Sequence, residues 1–287
     1  MAIRVGFIGL GNQGVPIAAH LAPAGFETTV YDIVEDRMRE LVAGGARAAR
    51  SPREVGERSD VIGICVPADA HVRAVVYGDD GLLAGTKPGA VIAIHSTVLP
   101  ATAIEIADAA RPLGVAVLDA CVTGGAERAK QKQITYIVGG DAAALGKVRP
   151  VLESNSVKII HAGALGDGAK LKLCINLITY IQWAAAFESF SLAKAIGLST
   201  QVLEEAGQAN GQLTQLMVNY LGGLKLPEAA RKSEPVQALM RNHMTIAEKD
   251  LAGVLALARE AQLALPVGAL VSQLMARLYG VEDPNRR

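Results

Sequence analysis

Residues 163–197 read GALGDGAKLKLCINLITYIQWAAAFESFSLAKAIG, and the fold turns on how this stretch is understood. It opens on a glycine-rich turn and then runs without Gly or Pro from Ala169 to Ile196, which predicts one long helix. No charged residue falls between Lys172 and Glu188, a span of about 15 residues that is too short to cross a bilayer. Apolar residues lie on nearly every face, so the helix is predicted to be buried and to join two domains. Its conspicuous polar residues stand at its beginning. Lys172 and Asn176 are four apart and share a face, whereas Lys170 points the opposite way. The pair has two readings: a site of chemistry, or a lysine snorkelling to water while Asn176 bonds to a neighbouring helix.

Toward the N-terminus the pattern is strand and helix in alternation. Ile3 to Gly9 is a short apolar run, followed by Gly11-Asn12-Gln13-Gly14 and an Ala-rich periodic stretch to about Ala22. Gly9, Gly11 and Gly14 form GxGxxG between a predicted strand and a predicted helix, the context that gives the motif meaning. The first glycine permits the turn, the second lets a pyrophosphate approach, and the third lets helix and strand pack closely. A second strand, Glu27 to Tyr31, ends at Asp32, about 20 residues after the fingerprint, where a ribose-binding acid belongs. Asp32 has no arginine beside it and Arg37 is more than a helical turn away, so NAD is expected over NADP. The other reading of Asp32 is a cap for the segment from Val34.

More units follow. Ser51-Pro52 opens a short helix, and strands are predicted at Asp60 to Val66, Ala90 to His95, Val115 to Asp119, Gln133 to Val138 and Val157 to His161, with a helix from Ala142 to Leu152. Val66-Pro67 and Ser96-Thr97 fall at carboxyl ends of strands, where ligands of open parallel sheets bind. One of Ser96 and Thr97 could equally cap the helix after Pro100. Thr123-Gly124-Gly125 offers a hydroxyl and free backbone amides to a carboxylate, or is simply a turn. Beyond the long helix no strand pattern appears. Helices are predicted at 200–208, 211–221, 235–262 and after Pro266, with Gly222-Gly223 and Pro227 marking an irregular middle. The domain boundary is placed near residue 163. Lys249 by itself reads as a solvated helix lysine, and the tail GVEDPNRR as a loose end.

Composition narrows the class. A chain of 287 residues fits one large or two ordinary domains. Lys plus Arg and Asp plus Glu are 28 each and aromatics are 4%, which argues against a nucleic-acid partner. MAIRVGFIGLG lacks a cationic n-region and a long h-region, so it reads as a first strand and not as a signal peptide. Cys65, Cys121 and Cys174 form no CxxC, which fits free, mostly buried thiols in the reducing cytoplasm. The five histidines are scattered, and no metal is expected.

Taken together, GFIGLGNQGVPIAAHL (6–21), HSTVLP (95–100), DACVTGG (119–125) and GDGAKLKLCIN (166–176), with EKDL (248–251) as a fainter fifth, resemble the β-hydroxyacid dehydrogenase family. That family includes 3-hydroxyisobutyrate dehydrogenases and tartronate semialdehyde reductases. The resemblance implies an α/β fold, a Rossmann-type doubly wound parallel sheet over residues 1–163, and an all-helical domain over 164–287 joined through the long helix. It further implies a homodimer or homotetramer, with no membrane association. Residue by residue, it places the catalytic lysine on Lys172, the motif asparagine on Asn176 and the substrate-carboxylate loop on Thr123-Gly124-Gly125. Its nicotinamide-side hydroxyls fall on Ser96, toward the substrate, and Thr97, toward the cofactor. Its late cofactor-contacting lysine falls on Lys249. With Gly9, Leu10, Gly11, Asn12, Gln13, Gly14, Asp32, Val66 and Pro67 these complete the expected NAD site.

The departures are Gln13 for the usual Met, His95 for an acid, Cys121 for Pro, Thr123 for Ser and Ile175 for a second asparagine. The last three make the expected pocket more apolar and less constrained, favouring alkyl- or aryl-substituted β-hydroxy acids over polyhydroxylated ones. The expected reaction moves hydride between nicotinamide and an alcohol carbon β to a carboxylate, with Lys172 carrying the proton. Burial, the oxidised nicotinamide or Lys249 would lower the lysine's pKa from about 10.4. An imine reductase, whose relatives lack the lysine, and a non-catalytic dinucleotide-binding scaffold are the competing readings.

Overall fold

The computed structural model describes residues 3–282. Its sheet contains β1 Arg4–Ile8, β2 Glu27–Tyr31, β3 Arg47–Ala48, β4 Val61–Ile64, β5 Val91–Ile94, β6 Ala116–Thr123, β7 Ile134–Gly139 and β8 Ser156–Gly163. Among the described residues these form one eight-stranded sheet in the order β3-β2-β1-β4-β5-β6-β7-β8. Every pairing is parallel except that of β6 with β7. β4 (VIGI) and β5 (VIAI) are buried along their whole length, as strands covered on both faces must be. Successive side chains serve opposite faces. Val61, Val91 and Ala93 join the core with Phe7 and Ile17, while Ile62, Ile64, Ile92 and Ile94 join the core with Ile8 and Val55. The α/β architecture followed by helices is the one predicted.

Two strand readings change. β3 was not foreseen; it is a two-residue, exposed edge whose Arg47-Ala48 carries no apolar pattern. β6 was expected to end at Asp119 but runs on to Thr123, because residues 119–123 pair antiparallel with β7, from Asp119↔Gly139 to Thr123↔Thr135. Cys121 is therefore a fully buried strand residue with its thiol 3.6 Å from the Ser96 carbonyl oxygen. Its expected part in loosening a carboxylate loop is withdrawn.

The chain divides into two compact units between Lys172 and Leu173, inside the helix Asp167–Ala195. The second unit continues with Thr200–Ala209, Gln215–Leu224, Glu234–Glu260, Pro266–Gln273 and Met275–Tyr279. Its largest core gathers Tyr180, Met244, Ala247, Leu251, Val271 and Met275. Gly222 and Gly223 do not interrupt a helix as expected. Gln215–Leu224 runs through both, with open space where each Cβ would stand. Nor is the long helix buried throughout: Ile178 is 52% and Leu192 61% exposed, and Cys174 is exposed. Among the described residues no helix is long and apolar enough to cross a membrane. Of the tail read as loose, residues 283–287 lie outside the described residues.

Candidate active site

The glycine turn after β1 is shaped by close approach. Gly9 has φ +93°, and a Cβ there would strike the Cys65 carbonyl oxygen; one at Gly14 would strike the Gly9 carbonyl oxygen. Gly11, by contrast, has nothing within 4 Å of the position its Cβ would take. This is a turn closed on its protein side and open on the other, the cradle a pyrophosphate requires. Asn12 is exposed, and Gln13 precedes the short helix Gly14–Ala18 with its side-chain nitrogen buried and without a hydrogen-bond partner.

Asp32 is 7% exposed and holds the turn from β2. Its Oδ2 accepts from the Leu10 N–H at 2.6 Å and its Oδ1 from the Val34 N–H at 2.8 Å. The local reading of Asp32 is seen directly: it steadies the segment from Val34 and also ties down Leu10 in the glycine turn. One expectation is corrected. Arg37 does reach Asp32, with Nη1 3.4 Å from Oδ1, because the 3₁₀ turn Glu35–Met38 folds it back.

At the carboxyl ends of β4 and β5 the backbone is tied together. The Ser96 hydroxyl accepts from the Val66 N–H at 2.8 Å and donates to the Ile64 carbonyl at 3.4 Å. Ser96 is 4% exposed, so its hydroxyl is committed to the protein, while Thr97 is half-buried beside it. Neither caps the helix Pro100–Ala110. Its N-cap is Leu99, and Asp69 takes the Leu99 N–H at 2.9 Å and the Thr102 hydroxyl at 2.6 Å. Pro67 is exposed. At the end of β6, Thr123 is half-buried, and Gly124 and Gly125 have φ of +125° and +78°, backbone that an L side chain would strain. His95 turns into the core, stacked on Phe7 with ring centroids 5.7 Å apart.

On the long helix Lys172 and Asn176 are each 9% exposed and one turn apart, whereas Lys170 is exposed and paired with Asp167 at 2.9 Å. Within the second unit Asn176 Nδ2 donates to Asp250 Oδ2 at 2.7 Å, the Tyr180 hydroxyl donates to the same oxygen at 3.0 Å, and Lys249 Nζ lies 2.8 Å from Oδ1. Burial, and next the Asp250 charge, push the Tyr180 phenol well up, so it stays a neutral donor. The arrangement leaves the Asn176 amide oxygen available as an acceptor. It also balances the Lys249 charge locally. Asp250 was missed as a site residue; its one signal was a charge inside the apolar periodicity of EKDL. Among the described residues no group of three or more His, Cys, Asp or Glu is placed to hold a metal ion.

Comparison with known proteins gives the family. Residues 4–163 match the family described as the NAD binding domain of 6-phosphogluconate dehydrogenase. Residues 166–284 match the NAD-binding family of NADP-dependent 3-hydroxyisobutyrate dehydrogenase. The chain is 34% identical to the 3-hydroxyisobutyrate dehydrogenase of Pseudomonas aeruginosa over 95% of its own length and 91% of that protein. It is 42% identical to the NAD-dependent L-serine dehydrogenase of the same organism, over 70% of this chain and 68% of that one. Among solved structures, the 3-hydroxyisobutyrate dehydrogenase of Mycobacterium tuberculosis with L-serine superposes with a TM-score of 0.80 at 29% identity, covering 98% of this chain and 94% of that one. The glycine cradle, the acid of β2 and the lysine–asparagine turn stand in a chain that belongs to the β-hydroxyacid dehydrogenase family.

Proposed function

We propose that Lys172 is the proton carrier of this NAD-dependent oxidoreductase, taking the β-hydroxyl proton during oxidation and returning it during reduction. NAD, when bound, supplies the hydride acceptor. The observation that carries the proposal is a lysine and an amide, both 9% exposed, one turn apart at the start of a long helix. Removing an ammonium from water is costly, and a structural role could be filled by an apolar residue at no such cost. Asn176, with its nitrogen held by Asp250, turns its carbonyl oxygen to the substrate hydroxyl. Thr123 and the amides of Gly124 and Gly125 hold the carboxylate, and Ser96 and Thr97 shape the nicotinamide side. Gly9 to Gly14, Asp32, Val66, Pro67 and Lys249 hold the cofactor. The presence of Lys172 speaks against imine reduction and against a scaffold that has lost catalysis.

The substrate is a small β-hydroxy acid. Two relatives are named for 3-hydroxyisobutyrate and L-serine, both carboxylates with a primary alcohol on the β carbon. Thr123 and Ile175 each stand where the family usually carries a more polar side chain, and an extra substrate hydroxyl left unpaired costs about 1–3 kcal/mol. Glycerate should therefore trail 3-hydroxyisobutyrate by about tenfold or more in kcat/KM, and a reversed order would refute this account of the pocket. The enzyme works as a homodimer or homotetramer in the cytoplasm, where its three thiols stay free.

The decisive test is Lys172→Ala. Its kcat should fall by about 100-fold or more while NADH binding is retained. A kcat within a few fold of wild type at saturating substrate would remove Lys172 from the mechanism.

A further inference from the structure

The first unit contains a joint that the chemistry above leaves unused. Asp119, fully buried on β6, sends its carboxylate to the first turn of the long helix. Oδ1 accepts from the Gly166 N–H at 3.0 Å and Oδ2 from the Ala169 N–H at 2.6 Å. Helix starts leave such N–H groups without intrahelical partners, and a carboxylate there also faces the positive end of the helix dipole. Burial pushes the Asp119 carboxyl up, while the two amides hold it down.

Two glycines permit the approach. A Cβ at Gly168 would lie 2.6 Å from the Asp119 carbonyl oxygen and 2.7 Å from the Gly139 nitrogen. A Cβ at Gly139 would lie 2.5 Å from Asp119 Oδ1 and 2.7 Å from the Gly168 nitrogen. Asp119 and Gly139 are register partners across β6 and β7. Two strands and the helix therefore meet backbone to backbone, with one carboxylate as the clasp. Lys172 follows Ala169 by three residues, less than one turn, so the clasped turn is the one that carries it.

We infer that Asp119 is the positioning residue for Lys172, its carboxylate fixing the depth and rotation of the helix start while Gly139 and Gly168 set the closest approach. The inference rests on the reading of Lys172 as proton carrier. Reacting groups tolerate little misplacement, and an error of about 1 Å is enough to cost about 100-fold in rate.

Two opposite lesions test it. Asp119→Asn keeps the shape but replaces an acceptor with a donor facing an N–H. Gly168→Ala keeps the carboxylate but pushes the helix off the strands. Each should lower kcat by about tenfold or more at saturating substrates, with NADH affinity changed by about twofold at most. Introduced into Lys172→Ala, Asp119→Asn should cost less than about twofold more, because the residue it positions is gone. Unchanged kcat in both single variants, with only a lowered melting temperature, would reduce the joint to a structural one and overturn the inference. So would a further loss of about tenfold on the Lys172→Ala background. Should Asp119→Asn fail to fold, Gly168→Ala and its own Lys172→Ala double decide by the same criteria. A Lys172→Ala enzyme with near wild-type kcat would instead defeat the reading of Lys172 and the inference with it. A dead Lys172→Ala beside fully active joint variants would defeat the positioning alone.

Discussion

Arg37 alters the electrostatics of the cofactor turn. Its guanidinium, half-exposed, stands 3.4 Å from a carboxylate that is 6% exposed, so the acid that should repel a 2′-phosphate is partly balanced. A long pair of this kind, with its guanidinium half in water, contributes about 1 kcal/mol at most. NAD should still be preferred over NADP in kcat/KM, Arg37→Ala should sharpen the preference by up to about fivefold, and Asp32→Ala should erode it. Equal use of NADP by the unaltered enzyme would overturn this account. His95 belongs to the core and not to the substrate. Its Nδ1 lies 2.8 Å from the Ala120 carbonyl oxygen and carries the proton there, and burial lowers its pKa to about 4. The unfolded chain binds a second ring proton near pH 6.5, so the stability gained from a neutral imidazole is full above 6.5 and is lost as pH falls toward 4. Its full size is on the order of 3 kcal/mol. Urea midpoints between pH 7 and 4.5 should fall less steeply in His95→Gln than in the parent; parallel slopes would remove His95 from the acid response.

The long helix Asp167–Ala195 carries Lys172, the proton carrier proposed above, and an outward seam. Cys174, Ile178, Ile181, Ala185 and Leu192 follow one another at spacings of four, three, four and seven, the repeat of a helix that packs against another. Cys174, Ile178, Ala185 and Leu192 are exposed and Ile181 half-buried. The homodimer or homotetramer proposed above would bury this seam against a second copy. Ile178→Glu with Leu192→Lys should shift sedimentation toward the monomer, whereas an unchanged assembly would place the contact elsewhere. The helix itself was legible because 28 residues without Gly or Pro leave little else to form. Its solvent-facing seam was not, since an apolar face looks the same in sequence whether the same chain or another one covers it. β6 shows the same limit: its extension to Thr123 depends on β7 returning beside it.

Among the described residues, the arginines that cluster between 39 and 58 are paired locally with carboxylates. The arginine-rich segment 37–58 would look like an anion-binding strip, yet Arg58, Arg50 and Arg47 lie 3.1, 3.6 and 3.8 Å from Glu54, while Arg53 pairs with Glu57 at 3.2 Å and Arg39 with Asp36 at 2.8 Å. With a formal net charge of zero, the protein should pass unretained through a heparin column at about 0.1 M salt. Retention to several-fold higher salt would reveal a basic face that these pairs do not neutralise. The sequence by itself was enough for the long strands and helices, though not for β3 or the short helices such as Asp69–Val76, and for the glycine turn and the spacing of Lys172 and Asn176. Those properties are written in neighbours a few residues apart, through strand and helix periods and backbone freedom. The partners that complete the site lie far along the chain: Asp119 is 47 and 50 residues from the amides it clasps, and Asn176 is 74 from Asp250. Such pairings exist only once the chain has returned on itself, where burial makes a carboxylate bond to whatever donors the packing has brought near.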